Sequence, residues 1–298
     1  MSVEHVWGFL EESGFIYPQK RQMINFDAAK ATMSRLLCKN DVFKGLAVTR
    51  GGEIYGHLSA VRVYDKLWMV QHMASHPYKK EKVSHALMLN LAMLEYFETS
   101  PAVEWVRATY RHENKRVSRL YEALAAQVTD PSLSKVQYLN CMRISDLPPV
   151  ALPKGYQVVL LPNHENLVPD EERFESLSEA YSRAGLERRR EFLGVYHGRL
   201  LVGYAILEVS SPSLNLSDLT NAFRVSMLTD DSVALTLLIH SAVAHYNALG
   251  QEHVTALIED GLVAAFEGVG FERFKRYTFW TWHRSLCRQF YDFIKGWG

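Results

Sequence analysis

Asp146-Leu147-Pro148-Pro149-Val150-Ala151-Leu152-Pro153-Lys154 is the stretch on which the reading of this chain turns. Proline has no amide hydrogen and a locked φ, so three prolines in six positions bar both a regular helix and a central strand. The segment reads as a short extended linker. It falls near the middle of 298 residues and leaves two units, 1–147 and 148–298, each long enough to close around its own core.

Working outward, the two flanks carry similar patterns. Upstream, helical periodicity covers Glu4–Glu12 and Asp27–Lys39, the second with Asp27 placed as N-cap. Strand patterns follow at Phe43–Thr49, Ile54–Val63 and Leu67–Met73, separated by Arg50-Gly51-Gly52 and Tyr64-Asp65-Lys66, which is hairpin chemistry. A long helix is expected over Lys82–Glu98, with Val83, Ala86, Leu87, Leu91 and Leu94 on one face. A strand at Trp105–Tyr110, a helix at Glu113–Leu124 and a strand at Val136–Ile144 complete this half. A strand ahead of Phe43 is either absent, formed by Gly14–Tyr17, or borrowed from the other half.

Downstream, the order repeats: a strand at Tyr156–Leu161, a helix at Asp170–Ala184 and strands at Phe192–Tyr196, Leu200–Val209 and Phe223–Leu228. Arg188-Arg189-Arg190 follows that helix and complements its C-terminal dipole. A helix over Ser232–Leu249 stops at Gly250; a strand at His253–Glu259, a helix at Leu262–Val269, a strand at Tyr277–His283 and a helix at Leu286–Ile294 follow. A switch from hairpins to strand–helix–strand crossovers implies an α/β (α+β) fold, each half a mixed, mostly antiparallel sheet flanked by helices.

Composition narrows the function classes. Lys plus Arg and Asp plus Glu each number 33, so no net field draws the chain to nucleic acid or an anionic membrane. Three scattered cysteines give neither a disulfide framework nor metal-ligand spacing, as in a reducing compartment. With no signal-like start and no long apolar run, the expected location is the cytoplasm. Gly-x-Gly-x-x-Gly, Walker and Gly-x-Ser-x-Gly patterns are missing, which argues against the common dinucleotide oxidoreductases, nucleotide hydrolases and serine hydrolases.

Two stretches of the first half carry a family resemblance. One runs from Met73 to Leu87 and contains His76-Pro77-Tyr78-Lys79-Lys80-Glu81-Lys82-Val83-Ser84; the other is Glu113-Asn114-Lys115-Arg116-Val117-Ser118-Arg119-Leu120-Tyr121-Glu122. Together with the element order they resemble the GCN5-related N-acetyltransferase superfamily, here as a tandem repeat. In that family an Arg/Gln-x-x-Gly-x-Gly/Ala loop opens a long helix, whose free N–H groups and positive dipole end receive the pyrophosphate of an acyl-coenzyme A. Lys79 takes the leading position, while Lys82 and Ser84 replace the glycines. Lys79, Lys80 and Lys82 then either supply charge to phosphates, beside Val83 and Ser84, or form a solvated loop.

The second stretch is similar to the family's Asn-x-x-Ala-x-x-Leu-Tyr-Glu helix. The resemblance implies that Asn114 contacts the pantetheine arm and that Tyr121 protonates the leaving thiolate. Asn114, Val117 and Tyr121 share one helix face. Tyr121 as a packing aromatic is the alternative. His72, next to Gln71, is the histidine best placed to take a proton from an amine, against the alternative of a hydrogen-bonded core residue.

The second half lacks this chemistry. Leu228-Thr229-Asp230-Asp231-Ser232-Val233-Ala234-Leu235 has no glycine and no cation, and Phe266 stands where the tyrosine belongs. The resemblance therefore implies an acyl-coenzyme A-dependent N-acyltransferase. It would pass acetyl or another acyl group to a small-molecule or protein amine by direct attack, without a metal, with the second copy degenerate. The alternative is a silent tandem used for ligand sensing or protein interaction. A homodimer is compatible with either.

Overall fold

The computed structural model describes residues 2–21, 25–39, 41–76, 84–162, 164–217 and 219–296. The first half opens with helices α1 (Val3–Glu12), α2 (Pro18–Arg21) and α3 (Phe26–Leu36). Asn25, not Asp27, caps α3, its side chain accepting from Ala28 N; Asp27 sits in the first turn. Strands β1 (Phe43–Arg50), β2 (Glu53–Arg62) and β3 (Leu67–Ser75) form a meander. Gly51 and Gly52 both take positive φ, 58° and 85°, as a two-residue hairpin turn requires. Helix α4 (His85–Thr99) leads to β4 (Trp105–Arg111), and α5 (Lys115–Ala125) to β5 (Ser134–Ile144). Gly14–Tyr17 is turn and bend, and among the described residues no strand precedes Phe43.

The second half comprises β6 (Tyr156–Leu160), α6 (Leu177–Arg183), β7 (Arg188–His197), β8 (Leu200–Ser210), β9 (Phe223–Met227), α7 (Ser232–Ala248), β10 (Val254–Ile258), α8 (Val263–Gly268), β11 (Glu272–His283) and α9 (Cys287–Gly296). Residues 146–153 carry no regular structure, as three prolines demand. Among the described residues no helix is long and apolar enough to cross a membrane.

The halves interlock. All strands belong to one sheet, ordered β1-β2-β3-β4-β11-β5-β10-β9-β8-β7-β6. The last strand of the second half thus lies between β4 and β5 of the first, and β5 in turn lies between β11 and β10 of the second. Pairing is antiparallel except at β3–β4 and β9–β10, where a helix connects the strands. Both faces of β11 are buried: Trp280 and Trp282 join the core under α4, α5 and α9, while Tyr277 and Phe279 pack on the other side with Leu219. A strand apolar on both faces belongs in the sheet interior. Helix α4 is apolar nearly all round, so its deepest residues are Leu89, Met93 and Phe97 rather than the Leu87–Leu91 face expected from periodicity.

On the side of the sheet away from α4, a buried ionic cluster joins the halves. Arg107 of β4 meets Glu172 at 2.7 Å, and Glu172 also accepts from Arg224 at 2.7 Å. Glu208 receives Arg188, Arg190 and the Tyr64 hydroxyl, the last at 2.6 Å. Arg188-Arg189-Arg190 therefore begins β7 and does not finish a helix. Alternation along a strand sends Arg188 and Arg190 inward to these carboxylates, and α6 ends earlier at Arg183. Burial pushes the Glu208 carboxyl up, but Arg188, Arg190 and Arg224 outweigh it and hold it at about 2. Burial likewise opposes ionisation of Glu172, and Arg224 and Arg107 hold it well below the usual carboxylate range.

Removing one partner strands the others without a counter-charge. Glu208→Gln should lower the unfolding free energy by about 3–5 kcal/mol in denaturant titration. Because both carboxyls are depressed in the folded state, their stabilisation is complete above the unfolded value of about 4.3. It should drain away as pH falls from there toward about 2 for Glu208, and thermal unfolding across that window should show Glu208→Gln flattening the loss.

Candidate functional site

β3 and β4 run parallel from Leu67↔Trp105 to Val70↔Ala108, then part. The divergence has a local cause. Between the pairs His57↔Ala74 and Ser59↔Gln71, β2 spends one residue, Leu58, while β3 spends two, His72 and Met73. This is a β-bulge, which bends and twists the strand that carries it. His72 takes φ 54° there, a left-handed conformation rare outside glycine.

A cavity of about 690 Å³ fills the gap. Its walls are Val70–Met73 of β3, Thr109–Arg111 of β4, Asn114, Val117 and Tyr121, together with Lys275 and Tyr277 of β11. Side chains alternate across the sheet. Val106, Ala108 and Tyr110 face the layer of α4, α5 and α9, so Arg107, Thr109 and Arg111 face the opposite side. The cavity reaches both sides through the split.

Three of the residues singled out from sequence meet here: His72, Asn114 and Tyr121. Asn114 is the N-cap of α5, its Oδ1 accepting from Val117 N at 3.4 Å. That fixes the helix start and presents Val117 and Tyr121 to the cavity at helical spacing. The Tyr121 ring packs between Tyr110 and Trp280, with centroids at 5.4 and 5.8 Å. Its hydroxyl has no hydrogen-bond partner among the described residues. Burial, then the neighbouring Tyr110, push the phenol well above its ordinary value, so it stays protonated.

His72 is buried, with Nδ1 3.2 Å from Ser59 Oγ and Nε2 without a partner among the described residues. Burial, with His57 and Lys20 nearby, drives its imidazole well below the near-neutral value expected from sequence. It is a neutral acceptor rather than a strong base. His57 is similar: burial lowers it to about 4, against its hydrogen bond to the His72 carbonyl.

Lys79, Lys80, Lys82 and Val83 lie outside the described residues. Ser84 occupies the N-cap position of α4 but makes no side-chain capping bond, and no acidic residue stands in the first turn. Ser84 does not line the cavity. The two arginines of β4 divide, Arg107 entering the ionic cluster and Arg111 the cavity, while Lys115 and Arg119 of α5 are exposed. Sequence reasoning missed Lys20 and Lys275, which no motif marks. Among the described residues no three His, Cys, Asp or Glu side chains gather as a metal site requires.

The corresponding place in the second half is filled. β9 and β10 touch in register only at Ala256↔Phe223, and Phe223 packs against Phe266 and Phe271 with centroids at 6.0 and 6.1 Å. Phe266 is fully buried. At the start of α7 the Asp231 carboxylate accepts from Ala234 N at 2.9 Å and from the Tyr156 hydroxyl at 2.9 Å. The helix terminus that could face a phosphate already holds an anion of its own.

No family model matches the sequence, and no curated protein matches it significantly. Solved structures do resemble it. A tandem GNAT protein from the clavulanic acid biosynthesis pathway aligns over 95% of this chain and 97% of its own at TM-score 0.52 and 16% identity. A Drosophila protein aligns over 95% and 97% at TM-score 0.54 and 14% identity. A Pyrococcus horikoshii protein assigned as an acetyltransferase aligns over 95% and 87% at TM-score 0.54 and 11% identity. The chain has the tandem fold of GCN5-related N-acetyltransferases.

The dual position of Asn114 separates its structural role from any other. Asn114→Ala should cost about 1 kcal/mol of stability by loss of the cap, and Asn114→Ser should restore most of it, both read by chemical denaturation.

Proposed function

We propose that the first half is an acyl-coenzyme A-dependent N-acyltransferase, moving acetyl to an amine, and that the second half builds the site without duplicating it. The observation that carries this is the contrast between the two strand splits. One opens a cavity onto a bulged strand, a capped helix start and a protonated tyrosine; the other is packed with phenylalanine. A cavity of about 690 Å³ is of ligand-binding size.

In this reading the thioester lies in the split between β3 and β4, with the pantetheine arm along Asn114 and Val117. The diphosphate meets the start of α4, where the helix dipole and the amides of Val83 and Ser84 act with Lys79, Lys80 and Lys82. Backbone N–H groups at the β3 bulge polarise the carbonyl. The amine enters from the opposite side, donates a hydrogen bond to Nε2 of His72, and attacks. The C–N bond forms and the C–S bond breaks. The thiolate takes the Tyr121 proton, and the proton lost by the amine returns to Tyr121 through solvent. A tandem used only for sensing would share the cavity but not the turnover.

Calorimetric titration with acetyl-coenzyme A should show one site per chain in the submillimolar range, weakened by Lys82→Glu. No heat in that range would sink the proposal, and two equal sites would refute the asymmetry. Tyr121→Phe should cut turnover by about 10²-fold or more while leaving affinity unchanged. Unchanged turnover removes Tyr121 from the mechanism.

A further inference from the structure

Resting on that reading, we infer that the acceptor carries a carboxylate, received by Lys20, Arg111 and Lys275 on the side of the sheet opposite α4 and α5. Tyr17 gathers two of the three cations. Arg111 Nη2 and Lys275 Nζ both donate to its hydroxyl, the lysine at 2.8 Å. Lys20 is only 5% exposed, and its ammonium lies 4.1 Å from the Phe15 ring centroid. All three line the cavity.

Among the described residues no carboxylate pairs with any of them; Glu113 stands exposed at the rim. Of the three, Lys20 is buried and Arg111 and Lys275 are half-buried; the cations of the ionic cluster behave differently, since Arg107, Arg188, Arg190 and Arg224 share Glu172 and Glu208. Burying cations without a counter-ion is costly unless a ligand supplies the anion. Burial, Arg111 and Lys275 together lower the Lys20 amine to about 7, and no acidic group among the described residues offsets them. The sheet decides which ligand this serves. The cations sit across it from α4, where the cofactor's phosphates belong in the proposed reading, and beside His72, where the amine attacks. The same positive field disfavours the ammonium form of an incoming amine and so favours the nucleophilic free base. Asn215, whose side-chain amide donates to Gln71 at 2.9 Å, adds polar wall on this side.

The test pairs N-acetyl-α-amino acids and N-acetyl-ω-amino acids with their primary amides, as product-like probes, in ligand-observed NMR titrations of the full chain. Acids should bind at least roughly tenfold more tightly than their amides, and Lys275→Met should abolish that preference. Because an anion pairs with protonated Lys20, acid affinity should fall as pH rises from about 6 to about 8.5, a trend Lys20→Met should lose. Should Lys275→Met fail to fold, Arg111→Gln carries the same comparison. Coenzyme A is titrated separately, and its affinity should not respond to Lys275→Met. Equal binding of acids and amides, or no acid binding at all, overturns the inference. So does a parallel loss of coenzyme A affinity in Lys275→Met, which would assign the cations to a cofactor phosphate. Failure of coenzyme A to bind wild type would instead remove the transferase reading and leave the acid-over-amide preference standing.

Discussion

The pairing of β11 with both β4 and β5 is the constraint on which the rest of the structure depends. It makes two repeats into one sheet and leaves neither with a self-contained core. Trp280 and Trp282 come from the second half, yet they fill the core under α4, as do Phe290 and Ile294 of α9. The same strand carries Lys275 and Tyr277 into the cavity wall. A strand central on both faces tolerates little change where it is buried, and from Tyr277 to Trp282 each side chain meets packed neighbours. This gives a physical reason for a chain to retain a second copy whose own split is filled.

The two splits show how little separates a site from a core. In both, a parallel pair opens where a long helix crosses over. In the first half a bulge at His72–Met73 turns β3 away, and the exposed wall is finished with groups that stay polar inside: the Tyr121 hydroxyl, Nε2 of His72 and three cations. In the second, three phenylalanines close the gap and an aspartate caps the helix that could have held phosphate. The first arrangement leaves the Tyr121 hydroxyl and Nε2 of His72 without hydrogen-bond partners among the described residues; the second satisfies or removes such groups. Unsatisfied buried groups persist where a ligand completes them.

Much of this was legible in the sequence because it is local. The Gly51-Gly52 turn, the stop of α7 at Gly250 with φ 77°, and the Asn114–Val117–Tyr121 face all follow from neighbours within a few residues. Phe266 in place of a tyrosine likewise showed in the sequence that the second copy lacks this chemistry. What could not be read depends on distant partners. Nothing near Glu272–His283 says that it will lie between strands about 148 and 176 positions earlier, as Trp282↔Ser134 and Trp282↔Val106 show. Arg188-Arg189-Arg190 reads as a helix end because the carboxylates that draw it into a strand, Glu172 and Glu208, belong to other elements. His72 read as near-neutral because burial, which lowers it, is a property of the folded sheet.

Hydrogen–deuterium exchange of the full chain with and without acetyl-coenzyme A tests the asymmetry of the two halves most directly, since both splits are observed in one experiment. A single acyl-transfer cavity in the first half requires protection on binding at residues 70–75 and 114–121, with residues 223–235 unchanged. Protection at residues 223–235, or none in either split, contradicts it.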